Sequence, residues 1–417
     1  MAIYQIGTDM NRQYPKSWQK CKLVDICDVY QPKTIATKNL IQNGNYPVFG
    51  ANGQIGFYNK YNHEEPVCLI TCRGATCGTI NKSKPYSWIN GNAMVCYPNV
   101  QDLDIDFLFH LLIQTNFKPY ISGSAQPQIT RTSLQPLYIV IPPLAEQKRI
   151  VKKIEELFGV IDEQVKRLET TQEALVSYRQ SILQQAFSGN LYKATEWDTV
   201  LFNDICTYIQ RGKSPRYIDY STLPVINQKC IRWNELQTQY LKYIDPAQFD
   251  TWTRERHVNP MDILWNSTGT GTIGRAYLYR GTEIKDAVVD SHVTIVRPDI
   301  KKVNPTFLFF YIQSPFVQDK IEKMQSGSTN QVELARKEIQ NVVIALPSLA
   351  EQKAIVKKIE TAFAFADKAQ AAITDALEQA KQLKQSILKR AFEGKLVSQD
   401  PNDKPIDLTQ LKKDKQK

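Results

Sequence analysis

From Ile150 the apolar positions step by four and three: Ile150, Ile154, Leu157, Ile161, then Leu168, Leu175, Tyr178 and Ile182, with Gln164 and Thr171 interrupting. That spacing puts the side chains on one seam of a long helix, as in a coiled coil. A second seam follows 205 residues later as Ile355, Ile359, Ala362, Ala366, Ala369, Ile373, Ala376, Ala380, Leu383 and Ile387. Pro143 suits a first helical turn, Ser348 with Glu351 spells an S-x-x-E capping box, and Gly189 and Gly394 stand where C-terminal stops belong. Helices are therefore predicted over about 143–188 and 348–393. At 1.5 Å per residue each is about 65 Å long, more than a domain of this size spans.

The first seam is bulky and the second is rich in alanine. Antiparallel pairing about a pseudo-two-fold axis sets Leu157 against Ala380, Ile161 against Ala376, Leu168 against Ala369 and Leu175 against Ala362. Large then meets small at native packing density. The two helices are expected to pair with each other within one chain.

Both seams belong to a tandem duplication. Leu144–Glu155 reads LAEQKRIVKKIE and Leu349–Glu360 reads LAEQKAIVKKIE, while SILQQAF at Ser181–Phe187 returns as SILKRAF at Ser386–Phe392. Weaker landmarks recur as well: Trp18, Asp25, Ile26 and Cys27 as Trp197, Asp204, Ile205 and Cys206; Thr76 and Gly78 as Thr272 and Gly274; Phe107–Phe109 as Phe307–Phe309; Gly123-Ser124 as Gly327-Ser328. The period far exceeds the roughly 20–50 residues of a solenoid repeat, so it marks duplicated domains. The expected division is an extension 1–15, a first module 16–142, a helix segment 143–190, a second module 191–347, a helix segment 348–394 and a charged tail 395–417.

Within the modules, Val67–Thr71, Ala93–Tyr97, Ala276–Tyr279 and His292–Val296 have the character of strands, separated by Asn-, Gly- and Pro-containing loops. A short helix is predicted after Asp106 and again after Pro305. The fold class is α+β: two mixed modules, each closed by a long helix, with the helices forming an antiparallel coiled coil. The polar tail after Ser398 is expected to be disordered or loosely attached.

Composition adds the partner class. The 52 Lys+Arg exceed 42 Asp+Glu, giving +10 and a pI near 9.0, a balance that favours polyanions, nucleic acid above all. No apolar run approaches the roughly 20 residues of a membrane span and the N-terminus lacks a signal-peptide core, so a cytoplasmic protein with no membrane contact is expected. Its eight cysteines should then be reduced, buried thiols. Cys68, Cys72, Cys77 and His63 lack the spacing of a zinc site.

Catalytic machinery is missing from the pattern. Gly269, Gly271 and Gly274 satisfy GxGxxG, but the strand-like RAYLYRG that follows makes the match a turn. There is no GxxxxGK[ST] loop for ATP and no HExxH. The better signal is a set of polar and cationic loop residues: Gln31, Lys33, Asn52, Gln54, Tyr58, Arg73, Thr76, Gln126, Gln128, Thr130 and Arg131 in the first module. The second offers Gln210, Arg211, Lys213, Asn227, Lys229, Arg232, Trp233, Thr270, Thr272, Asn330 and Gln331. Amides and guanidinium groups can read base edges, and Lys, Ser or Thr can hold phosphates.

Two divergent modules, each introduced by Trp…Asp-Ile, each carrying a G-S motif (Gly123–Gln128; Gly327–Val332) and each ending in P-x-L-A-E-Q-K plus a long helix, resemble the specificity subunit of a type I restriction-modification system over nearly the whole chain. The resemblance implies two target recognition domains that each read half of a bipartite double-stranded DNA site. It further implies helices that fix the spacer and dock modification subunits, two per chain, with restriction/translocase subunits completing the assembly. No cofactor is expected in this chain. S-adenosylmethionine, ATP and Mg belong to the partner subunits. A stand-alone methyltransferase would need a cofactor loop and a [DNS]PP[YF] motif, neither present. A protein-binding scaffold built on the helices is the other alternative, and salt-sensitive DNA binding separates it from the first reading.

Overall fold

The computed structural model describes residues 14–123, 125–192, 196–269, 271–326 and 332–407. They form two compact units, one of Met1–Leu168 with Asp375–Lys417 and the other of Glu169–Thr374. Each unit therefore combines one module with one end of each long helix.

In the first unit an antiparallel sheet runs in the order Cys27–Tyr30, Ala93–Pro98, Cys68–Thr71, Ile80–Lys82. Its two central strands, Ala93–Pro98 and Cys68–Thr71, are nearly continuous apolar runs because both faces are covered. Cys68, Ile70, Met94 and Cys96 enter the core shared with the helix Ile105–Gln114 and the long-helix ends, whereas Leu69, Ala93 and Val95 meet Phe49 and Ile89. Phe49 and Ile89 belong to a three-stranded sheet of Gly53–Tyr58, Tyr46–Gly50 and Trp88–Ile89. The second unit repeats the plan with Cys206–Arg211, Val293–Pro298, Ile263–Asn266 and Ala276–Leu278. There Ile263, Trp265, Ala276 and Leu278 face the helices, while Leu264, Tyr277 and Ile295 face Ile226 and Val289 of a second sheet. Asp104 and Asn304 cap Ile105–Gln114 and Pro305–Gln313 by accepting backbone N–H bonds.

The long helices run over Leu144–Phe187 and Leu349–Ala391. At the second, Ser348 N–H donates to Glu351 Oε2 at 3.1 Å and Glu351 N–H to Ser348 Oγ at 3.4 Å, closing the capping box. Gly189 and Gly394 follow the helices at φ of 79° and 70°, which a Cβ would strain. The LAEQ glutamine has the same task in both units. Gln147 accepts from Asp104 N–H at 2.8 Å and donates to the Asp102 and Pro142 carbonyls; Gln352 accepts from Asn304 N–H at 2.7 Å and donates to those of Lys302 and Pro347. Both are 0% exposed. Each ties the long helix to the N-terminus of its module helix.

Within each unit the helix segments pair. In the second unit Arg179 bonds Asp367 at 2.7 Å and Lys358 Nζ reaches the Leu191 carbonyl at 2.8 Å, so partner numbers fall as the first helix advances. The pairing is antiparallel. In the first unit Lys384 bonds Asp162, and Leu157, Phe158, Val165 and Ala380 border one apolar cluster. Arg179 lies over Phe363 in one unit as Lys384 lies over Phe158 in the other. All three positions correspond at the 205-residue offset, so the two units share one cation, aromatic ring and carboxylate arrangement.

Two seam assignments need correction. Leu383 is 51% exposed and Tyr178 36%, while the neighbouring Lys384 and Arg179 are half-buried. A straight helix turns 3.6 residues per turn, so a strict seven-residue repeat drifts off the buried face and the next position takes its place. The tail is a second correction. Leu396 and Val397 pack on the core, Ile406 is 4% exposed, Gln399 donates to Glu146 at 2.6 Å and Arg149 holds Asp403 at 2.6 Å. Apolar residues among the charges give the segment surface to bury; 408–417 lie outside the described residues.

Candidate nucleic-acid interface

In the first unit four loops converge. The 73–76 turn meets the 126–131 loop through backbone bonds, Gly74 N–H to Pro127 O and Ile129 N–H to Cys72 O, both 3.0 Å. Thr76 Oγ1 donates to Asn52 Oδ1 at 2.6 Å, tying in the hairpin tip, and the Gln31 amide donates to Cys72 Sγ at 2.9 Å and Gly91 O at 3.2 Å. Lys33, Asn52, Gln54, Arg73, Gln126, Gln128 and Arg131 are exposed around this frame. Thr130 is spent in part on a capping box with Ser133, accepting its N–H at 3.1 Å. Tyr58 is set apart, at the open end of the hairpin with its ring edge-on to Trp88 at 5.4 Å.

In the second unit the strand end 210–213, the 227–229 segment, the 266–274 turn and the 290–292 turn come together. Arg211 donates to Ser291 O at 2.5 Å and pairs with Glu333 at 2.9 Å; Thr272 Oγ1 donates to Gln228 Oε1 at 3.2 Å. Gln210 is half-buried, and Lys213 and Lys229 are exposed. Asn227 is a correction: it is 5% exposed, with its amide donating to Tyr240 O at 2.6 Å and its oxygen accepting from Lys229 N–H at 2.9 Å, so burial leaves it nothing to read with. Arg232 turns back to the carbonyls of Lys229 and Ile231. Trp233 is corrected too, because its apolar ring packs on the helix-side core and lines a cavity of about 320 Å³ with Arg179, Leu183 and Phe363. Thr270, Asn330 and Gln331 lie outside the described residues.

The loops add residues that sequence reasoning passed over. Thr268 Oγ1 bonds His292 Nδ1 at 2.5 Å, and Ser214 bonds Ser291 at 2.7 Å. His292 N–H donates to Asp290, whose carboxyl burial raises above the usual carboxylate range. A lone histidine carries no spacing signal; only the fold brings it to Thr268. Gly269, Gly271 and Gly274 form a turn, all at positive φ, ahead of the strand Ala276–Leu278.

The first cluster thus presents exposed amides, hydroxyls and cations, and the second exposed Lys213, Ser214, Lys229 and His292, each on a hydrogen-bonded frame and each a surface able to meet phosphates and base edges. Among the described residues no three His, Cys, Asp or Glu side chains gather to hold a metal, and no helix is long and apolar enough to cross a membrane. Burial pushes the Cys21 and Cys206 thiols up to about 12, so they stay protonated. The family model for the type I restriction modification DNA specificity domain matches residues 15–170 and again 194–379. The chain belongs to that family.

A specificity subunit is a non-catalytic component of type I restriction-modification that recognises DNA sequence, and its relatives carry that name. The EcoBI specificity subunit of Escherichia coli is 27% identical, over 74% of this chain and 69% of its own. The EcoDI specificity subunit of Escherichia coli is 24% identical over 92% of this chain and 90% of its own. Among solved structures, a chain described under complex assembly and conformational transition of the type I R-M system has a TM-score of 0.71 at 19% identity, over 92% of this chain and all 100% of that one. The HsdS subunit from Thermoanaerobacter tengcongensis gives 0.53 at 19% identity, over 93% and 100%. At that identity the structural likeness speaks for the fold alone.

Proposed function

We propose that each loop cluster reads one half of a bipartite DNA site, while the paired long helices set the spacer and dock two modification subunits. The observation that carries this is a shared frame with unlike contents. The same strand ends and turns hold the cluster in both units, yet Gln31 and Asn52 occupy one where Arg211, Thr268 and His292 occupy the other. Two readers of different sequence would be built in this way. Lys and Arg contacts to phosphate supply affinity that falls with salt, and each good bidentate base contact adds ~1–3 kcal/mol of discrimination. Methyl transfer with S-adenosylmethionine and ATP- and Mg-dependent steps fall to the modification and restriction subunits. Replacing residues 16–142 by the module of another specificity subunit tests the reading: one half-site should change and the other persist. A change in both halves would show that the modules do not read independently.

A further inference from the structure

The tip of the Tyr46–Tyr58 hairpin sets one apolar side chain among polar ones. Gln54 is opposite Phe49 and Gly56 opposite Val48, which leaves Ile55 as the extra residue of a β-bulge. Bulges re-aim side chains, and this one folds Ile55 over Gly50: a Cβ at Gly50 would meet Ile55 Cγ2 at 3.0 Å and Cδ1 at 3.2 Å. Even so Ile55 is 47% exposed, next to exposed Gln54 and close in sequence to exposed Asn52. The tip is clamped to the recognition loops. The Thr71 hydroxyl and the Asn81 amide both donate to the Ala51 carbonyl, and Thr76 donates to Asn52.

A single exposed isoleucine needs no explanation by itself. Its place does, because the bulge, the bare Gly50 and the clamp fix a branched aliphatic group beside two base-reading amides. In the major groove every base edge offers hydrogen-bond donors or acceptors, and thymine alone adds a methyl group, at C5. We infer that Ile55 is a specificity-determining residue that packs against the 5-methyl group of a thymine in the half-site read by the first unit. The inference rests on the assignment of this cluster to DNA reading and names what one of its side chains recognises.

The test uses the full chain in complex with its modification subunits and the split motif mapped for that complex. Each thymine of both half-sites, on either strand, is replaced in turn by deoxyuridine, which removes only the methyl group. The wild-type complex should lose binding about fourfold at one thymine, the factor expected for one buried methyl-sized group. For Ile55→Ala the thymine and uracil duplexes should bind alike, with affinity for motif-free duplex unchanged as the check that the variant is folded. Indifference to uracil at every position, a motif without thymine, or a difference that survives in Ile55→Ala would overturn the inference while leaving the two-reader assignment standing. A wild-type complex that recognises no split motif would instead refute that assignment, and the inference with it.

Discussion

Replacing Gln147 by alanine isolates what the LAEQ motif does. The side chain is 0% exposed and satisfies three backbone groups: the Asp104 N–H and the carbonyls of Asp102 and Pro142. A buried donor left without a partner costs ~1–3 kcal/mol, and two abandoned acceptors add a smaller share, so Gln147→Ala should cost about 2–4 kcal/mol. The loss belongs to the joint between the long helix and Ile105–Gln114, and amide hydrogen exchange reads it there. Protection of that helix should fall by roughly 30- to 1,000-fold. Gln352→Ala should do the same to Pro305–Gln313 and leave Ile105–Gln114 as it was. A change under threefold, or one spread evenly over both module helices, would refute the idea that this glutamine is a local lock.

Truncation after Lys395 should destabilise the first unit by about 3–5 kcal/mol in denaturant melts, since it uncovers the surface beneath Leu396, Val397 and Ile406 and strands Arg149; no loss would restore the loose tail. His110 is pushed down to about 4 by burial, so it is neutral in the folded chain at pH 7 while the unfolded chain titrates near 6.5. Its contribution is complete above that value and drains away as the pH falls toward 4, costing about 2 kcal/mol between pH 7 and 5; His110→Phe should flatten this slope in melts across that range. Deleting one heptad from each long helix should change the spacer in the methylated motif and keep both half-sites, and an unchanged spacer would sink the ruler idea.

The long helices, their caps and the duplication were legible because periodicity and repetition are local properties of the chain. The polar loops between strands could also be read off, and the fold gathers many of them into the two clusters proposed to meet DNA. What stayed hidden depends on long-range packing. Seam drift at Tyr178 and Leu383 arises from the mismatch between 3.5 and 3.6 residues per turn, which an apolar count cannot register. Asn227 has the composition of a reader, and only the turn around Tyr240 reveals that its amide is already spent. Ile55 drew no attention because a bulge depends on the partner strand. The tail was expected to be loose from its charge, yet Leu396, Val397 and Ile406 and an ion pair between half-buried Arg149 and Asp403 hold it.

The most direct measurement is a map of N6-methyladenine across the DNA of a host that co-expresses the chain with its neighbouring modification subunit. The account predicts methylation at one split motif, two short specified halves at a fixed gap. Methylation at a single continuous motif, or none from an intact complex whose modification subunit is active with another specificity subunit, would contradict it.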